Sequence, residues 1–177
     1  MGSPRDGVAA SRFVQSVAAA YGAATMLTDA ALAGGAGLAE ARVVPPDTLA
    51  TGGDGVDLVV SFDALGGTLG EGTAWQDYLV ALGRRAQKAL LVFVRNAERP
   101  GQGDSPDTTA LARVLWQVGR VREHVYLGLP RWVAGSGVVH VPVGVVVRRM
   151  ARFHGFVVDT IPRTPQARRR LRVAASS

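Results

Sequence analysis

The stretch Asp57-Leu-Val-Val-Ser-Phe62 is a short, nearly unbroken apolar run that ends at Asp63 and a glycine-rich turn. Further on, Ala89-Leu-Leu-Val-Phe-Val94 repeats the pattern. Runs of this length without polar alternation read as strands covered on both faces, the habit of a parallel sheet. Between them, Thr73-Ala-Trp-Gln76 fits a capping box in which Thr73 and Gln76 satisfy each other's end amides. Trp75, Tyr78, Leu79, Leu82 and Ala86 then line one helix face. The core of the chain is therefore a strand, a helix and a strand.

Toward the C-terminus, Ser105 and Pro106 are expected to open a helix striped by Leu111, Val114, Leu115 and Val118 and stopped at Gly119. Pro142 to His154 has the same spacing through Val143, Val146, Val147 and Met150, with Gly155 as its stop, and leads into a strand at Phe156 to Ile161. Pro162 to Arg169 then turns the chain back into Leu171 to Ala175, an antiparallel return. Toward the N-terminus, Ser11 is a candidate N-cap for a helix through Val14, Val17, Ala18 and Tyr21, closed by Gly22. Ala24 to Thr28 and Ala41 to Val44 are short strands. The whole predicts a doubly wound, mostly parallel α/β sheet of Rossmann-like type with an antiparallel C-terminal strand, whose ligand site lies outside the carboxyl ends of the strands. Asp29, Asp63 and Asn96 fall at those ends.

The length of 177 residues suits one domain, 1–177, divided into a degenerate half at 1–56 and a more regular half at 57–177 with a basic tail. The composition, 47% apolar and 19% charged, is that of a folded chain, and no apolar run reaches the roughly 20 residues of a membrane span. The absence of Cys excludes disulfides, thiolate metal sites and cysteine nucleophiles, and points to a cytoplasmic location. A secretory reading, with Met1 to Arg12 as a charged leader and Phe13 to Ala24 as its apolar segment, is opposed by Asp6, Gln15, Ser16 and Tyr21. The net charge of +6 lies in the tail. From Arg148 onward eight Arg face Asp159 alone, for +7, so residues 1–147 carry −1.

From Asp57 onward the chain resembles the class I S-adenosylmethionine-dependent methyltransferases, particularly the broad small-molecule type. DLVVSFDALGG (57–67) is similar to that family's fourth strand and following motif. TAWQDYLVALGRRAQKALLVFVRN (73–96) is similar to the next helix and fifth strand. REHVYLGLPRW (122–132) looks like the segment before the late helix, RRMARFHGFVVDTI (148–161) like that helix and the sixth strand, and RLRVAAS (170–176) like the antiparallel seventh. The family's first strand and most of its glycine-rich loop have no counterpart, although Met1 to Gly7 stands where the tail of that loop belongs. Because the family's first strand lies centrally, between the second and fourth, its absence is expected to leave a gap in the sheet unless a partner or the N-terminal segment fills it.

What the resemblance implies is a cofactor, S-adenosylmethionine, held by Gly2, Gly7, Asp29, Asp47, Phe62 and Asp63. Asp29 would accept hydrogen bonds from both ribose hydroxyls, or alternatively cap the next turn. Asp47 would receive the adenine amino group, or act as a turn residue. Phe62 and Asp63 would lie near the methyl group and acceptor, with Phe62 alternatively a core residue. Methyl transfer depends chiefly on alignment. Glu123 and His124 are candidates for deprotonating an acceptor, or else a polar loop near a helix end. His140 and His154 read as structural, and three scattered His make no metal site. The expected partner is a small-molecule methyl acceptor or a protein completing the sheet. Nucleic acid could meet Arg163, Arg168, Arg169 and Arg170, though no aromatic residue interleaves the late Arg run. The alternative function is a non-catalytic methyltransferase-like binding or scaffold module.

Overall fold

Helix and strand alternate through the computed structural model, which describes residues 4–29, 41–51, 53–62, 74–99, 107–129, 138–140 and 149–160. The elements are α1 (Pro4–Ala20), β1 (Met26–Thr28), β2 (Ala41–Val43), α2 (Pro46–Thr51), β3 (Val56–Phe62), α3 (Trp75–Arg85), β4 (Ala86–Arg95), α4 (Thr108–Val118), β5 (Gly119–Leu127), β6 (Val138–His140) and β7 (Phe153–Thr160). The strands form one sheet in the order β2-β1-β3-β4-β7-β5-β6. β1 pairs in parallel with β2 and β3, and β3 with β4. β7 runs antiparallel to both β4 and β5, and β6 antiparallel to β5.

Both faces of the sheet are covered, which is why the middles of β3 and β4, residues 58–60 and 89–94, are apolar throughout. On one face α1 places Phe13, Val14 and Val17 against Leu58, Val60, Leu91, Phe93, Val125 and Val157. On the other, Leu49 of α2, Tyr78, Leu79 and Leu82 of α3, and Leu111 and Leu115 of α4 pack on Val59, Leu90, Val92 and Phe156. Of the expected stripes, Tyr78, Leu79 and Leu82 of α3 and Leu111, Val114, Leu115 and Val118 of α4 are buried and Trp75 partly so, whereas Ala86 opens β4 and does not belong to the helix.

Several boundaries differ from expectation for local reasons. α1 begins at Pro4, a residue suited to the first turn of a helix, and Ser11 is buried in mid-helix instead of capping it. Gly7 therefore lies in a helix and not in a loop, and Gly2 is outside the described residues. At the other end Gly22 has φ +55°; its N–H donates to Ala19 O and that of Ala23 to Ala18 O, a Schellman closure. The N-cap of α3 is Ala74, with no side-chain cap, and Thr73 of the expected box lies outside the described residues. α4 is capped by Asp107, which accepts from the backbone N–H groups of Thr109 and Ala110. His154 and Gly155 belong to β7 and not to the end of a helix.

β7, lying between β4 and β5, runs antiparallel to the parallel strands, as does β6 at the edge. The segment placed at a parallel position by sequence therefore runs the other way, while the expected return at Leu171 to Ala175 lies outside the described residues. Its partner β5 is a strand where the sequence pattern suggests a polar loop.

The anticipated gap at the centre of the sheet is absent: β1 and β3 pair directly, Met26 with Leu58, Leu27 with Val59 and Thr28 with Val60. A three-residue strand provides few ladder bonds, and two aspartates reinforce it. At the amino end Asp57 Oδ2 accepts from Ala24 N at 2.7 Å, while Thr25 Oγ1 accepts from Asp57 N at 3.0 Å. At the carboxyl end Asp29 is bonded to β3 as described below. Nearby, buried Arg85 donates Nη1 to the Thr48 and Leu49 carbonyls, 2.8 Å each, closing the C-terminus of α2.

Candidate functional site

The chain leaves β1 for the edge strand β2, then returns on the other side of β1 to build β3 and β4. The direction of winding reverses between β1 and β3, and in open α/β sheets the crevice outside the carboxyl ends at such a point is where ligands bind. Asp29 follows β1 and Phe62 ends β3, so both stand at this crevice.

The Asp29 carboxylate is half-buried and held by its neighbours. Oδ1 accepts from Phe62 N at 2.6 Å, Oδ2 accepts from Ser61 Oγ at 2.7 Å, and the Tyr78 hydroxyl donates to Oδ2 over a longer 3.5 Å. Ser61 and Tyr78 are fully buried, with their hydroxyls 3.3 Å apart. Burial pushes the Asp29 carboxyl up to about 6, against the hydrogen bonds from Phe62, Ser61 and Tyr78, which favour the charged form. Burial, reinforced by the Asp29 charge, raises the Tyr78 phenol above its ordinary range, so it remains a neutral donor. An ionised carboxylate has about four acceptor directions. Among the described residues two are used on Oδ2 and one on Oδ1, and the backbone N–H of Asp29 itself also favours the charged form.

Asp47 sits in the first turn of α2, just past β2, and not in a loop; its Oδ1 accepts from Thr48 N at 2.8 Å and the side chain is exposed. Phe62 is half-buried and packs on Phe93 and Phe153, with ring centroids 5.3 and 5.1 Å away. It packs against the core on the α1 face, while its backbone N–H donates to Asp29. Asp63 lies outside the described residues, as do Arg163, Arg168, Arg169 and Arg170.

Glu123 and His124 are strand residues of β5, and successive strand side chains point to opposite faces. Glu123 faces α1, while His124 stacks on Phe156 on the α4 side, at 4.3 Å between centroids, and shares a hydrogen bond with His154, Nε2 to Nδ1 at 2.9 Å. The structure does not bring the two together as an acid–base pair. A β-bulge between Val121 and Glu123 instead turns Arg122 to the same face as Glu123. There they line a groove of about 370 Å³ with Phe13, Ser16, Tyr21 and Val157. Sequence reasoning missed this groove and the Ser61 and Tyr78 partners of Asp29. Among the described residues no three metal-ligating side chains converge, and no helix is long and apolar enough to cross a membrane.

No protein-family model matches the chain, and no curated protein matches it in sequence. Solved structures do match in shape. Magnesium protoporphyrin IX methyltransferase from Synechocystis PCC 6803, with bound S-adenosylhomocysteine, superposes with a TM-score of 0.51 at 12% identity, over 87% of this chain and 84% of that one. A Listeria monocytogenes protein described as a class I S-adenosylmethionine-dependent methyltransferase gives 0.51 at 16% identity, over 92% of this chain and 61% of that one. The chain has the fold of the class I S-adenosylmethionine-dependent methyltransferases.

Proposed function

We propose that the chain binds S-adenosylmethionine at the carboxyl ends of β1 and β3 and passes its methyl group to a small-molecule acceptor. The observation that carries this reading is Asp29, a half-buried, hydrogen-bonded carboxylate at the point where the winding of the sheet reverses. The Synechocystis neighbour of the same fold holds S-adenosylhomocysteine.

The residues present suit such a ligand. Asp29 would bind a ribose hydroxyl, the half-buried Phe62 would lie beside it, and Asp47 in the first turn of α2 would lie toward the base. Bound S-adenosylmethionine supplies an electrophilic methyl group for an acceptor nucleophile. The chain's part is to orient the ligand and exclude water, and a methyl transfer built on alignment does not require the diverging Glu123 and His124.

Titration calorimetry with S-adenosylhomocysteine tests the reading. Saturable binding that is lost in Asp29→Ala supports it. A folded, cooperatively melting protein that takes up no ligand would leave the non-catalytic binding module as the better account.

A further inference from the structure

In a site built for a vicinal diol, a carboxylate offers one oxygen to each hydroxyl. Asp29 is arranged differently. Its Oδ2 is turned inward, onto Ser61 Oγ at 2.7 Å and toward the Tyr78 hydroxyl at 3.5 Å, both of which belong to buried residues. Its Oδ1 takes the Phe62 amide at 2.6 Å and, among the described residues, no side chain. The Tyr78 hydroxyl is in turn anchored by Ser61, 3.3 Å away, so the three side chains form one connected network spanning β1, β3 and α3.

We propose that Ser61 and Tyr78 are positioning residues that occupy Oδ2 of Asp29, so that the carboxylate reads one hydroxyl of a ribose and not both. This rests on the cofactor reading above, but its geometry belongs to the chain alone. Buried hydrogen-bonded groups keep their partners because a lost bond to a charged acceptor is costly. A ligand hydroxyl therefore gains by approaching Oδ1 and gains little by displacing Ser61. Among the described residues, Tyr78 is the titratable group facing Asp29, and it stays neutral.

The experiment compares S-adenosylhomocysteine with its 2′-deoxy and 3′-deoxy analogues by calorimetry, on the wild-type chain and on Ser61→Ala, Ser61→Thr and Tyr78→Phe. For wild type, one analogue is expected to bind about tenfold to a hundredfold more weakly and the other within about twofold of the parent. In Ser61→Ala the freed Oδ2 begins to count and the second analogue weakens too, while Ser61→Thr keeps the wild-type pattern. Equal weakening of both analogues in the wild type would overturn the proposal.

A second readout needs no ligand: the carboxyl carbon of Asp29, followed by NMR against pH. Its midpoint should rise in Ser61→Ala and, less, in Tyr78→Phe, which keeps the ring and its packing. An unchanged midpoint in both overturns the positioning role. If the wild type binds no S-adenosylhomocysteine while the midpoint moves as stated, the cofactor reading has failed and the positioning role has not.

Discussion

The hydroxyl of Tyr21, in the turn that closes α1, donates to Oδ1 of Asp159 in β7, 138 positions along the chain. Arg122 of β5 stands over the same pair, 5.9 Å from the Tyr21 ring centroid and 3.7 Å from Asp159 Oδ2. One tyrosine thus ties the helix covering one face to an antiparallel strand of the sheet.

Burial first, and then the hydrogen bond and charge of Asp159, push the Tyr21 phenol up to about 12 from its ordinary 10.0. The folded state holds this proton more tightly than the unfolded one. The contribution is fully present below about pH 10 and is lost as pH rises toward 12. Tyr21→Phe should lower stability by about 1 kcal/mol at neutral pH. It should also flatten the alkaline limb of the melting curve. An identical alkaline limb in the variant would remove Tyr21 from this role.

For Asp29 the same linkage runs through acid and neutral pH. Its folded carboxyl titrates at about 6 against an ordinary 3.8, so the stabilising contribution is complete below about 3.8 and is lost as pH rises through 6. Holding the carboxylate charged in its half-buried place at pH 7 costs about 2–3 kcal/mol. Asp29→Asn keeps the shape, can still accept from Phe62 N, and should melt no lower than wild type at pH 7 while losing ligand binding. Thermal melts at pH 4 and pH 7 check this; a variant destabilised at pH 7 contradicts the sign.

At Gly155 in β7 an added Cβ would stand 2.8 Å from Phe93 Cε1 and 2.8 Å from Val125 Cγ2, both buried side chains. Gly155→Ala should therefore destabilise by about 1–3 kcal/mol through overpacking. Urea unfolding measures it, with an unchanged midpoint as the contrary result.

The cap of α4 gives a smaller effect. Asp107 accepts from Thr109 N at 3.1 Å and Ala110 N at 3.3 Å, so Asp107→Ala should cost about 1 kcal/mol, while Asp107→Ser should recover most of it. Equal stability of all three chains would show that the cap contributes nothing.

What could be read in the sequence follows the reach of the forces involved. The apolar runs of β3 and β4 and the stripes of α3 and α4 are local patterns, and they fall where periodicity puts them. β5 escapes such a reading because Arg122, Glu123 and His124 break its pattern: a bulge at Arg122 sets two neighbouring polar side chains on one face, which a period of two cannot anticipate. Its signal lies in Val125-Tyr-Leu127, buried at the strand's end. The direction of β7 depends on pairing with β4 and β5, and no local residue records that. Asp29 is visible in the sequence as a strand-end acid. Its engagement by Ser61 and Phe62 arises only once β1 and β3 are in register.

The most direct test of where the ligand sits is a titration of the isotope-labelled chain with S-adenosylhomocysteine, following backbone amides by NMR. Binding at the carboxyl ends of β1 and β3 predicts saturable shifts at Asp29, Ser61 and Phe62, with Ser16, Tyr21 and Glu123 in the groove beside α1 unmoved. Shifts confined to that groove, or none at any concentration, would contradict the account.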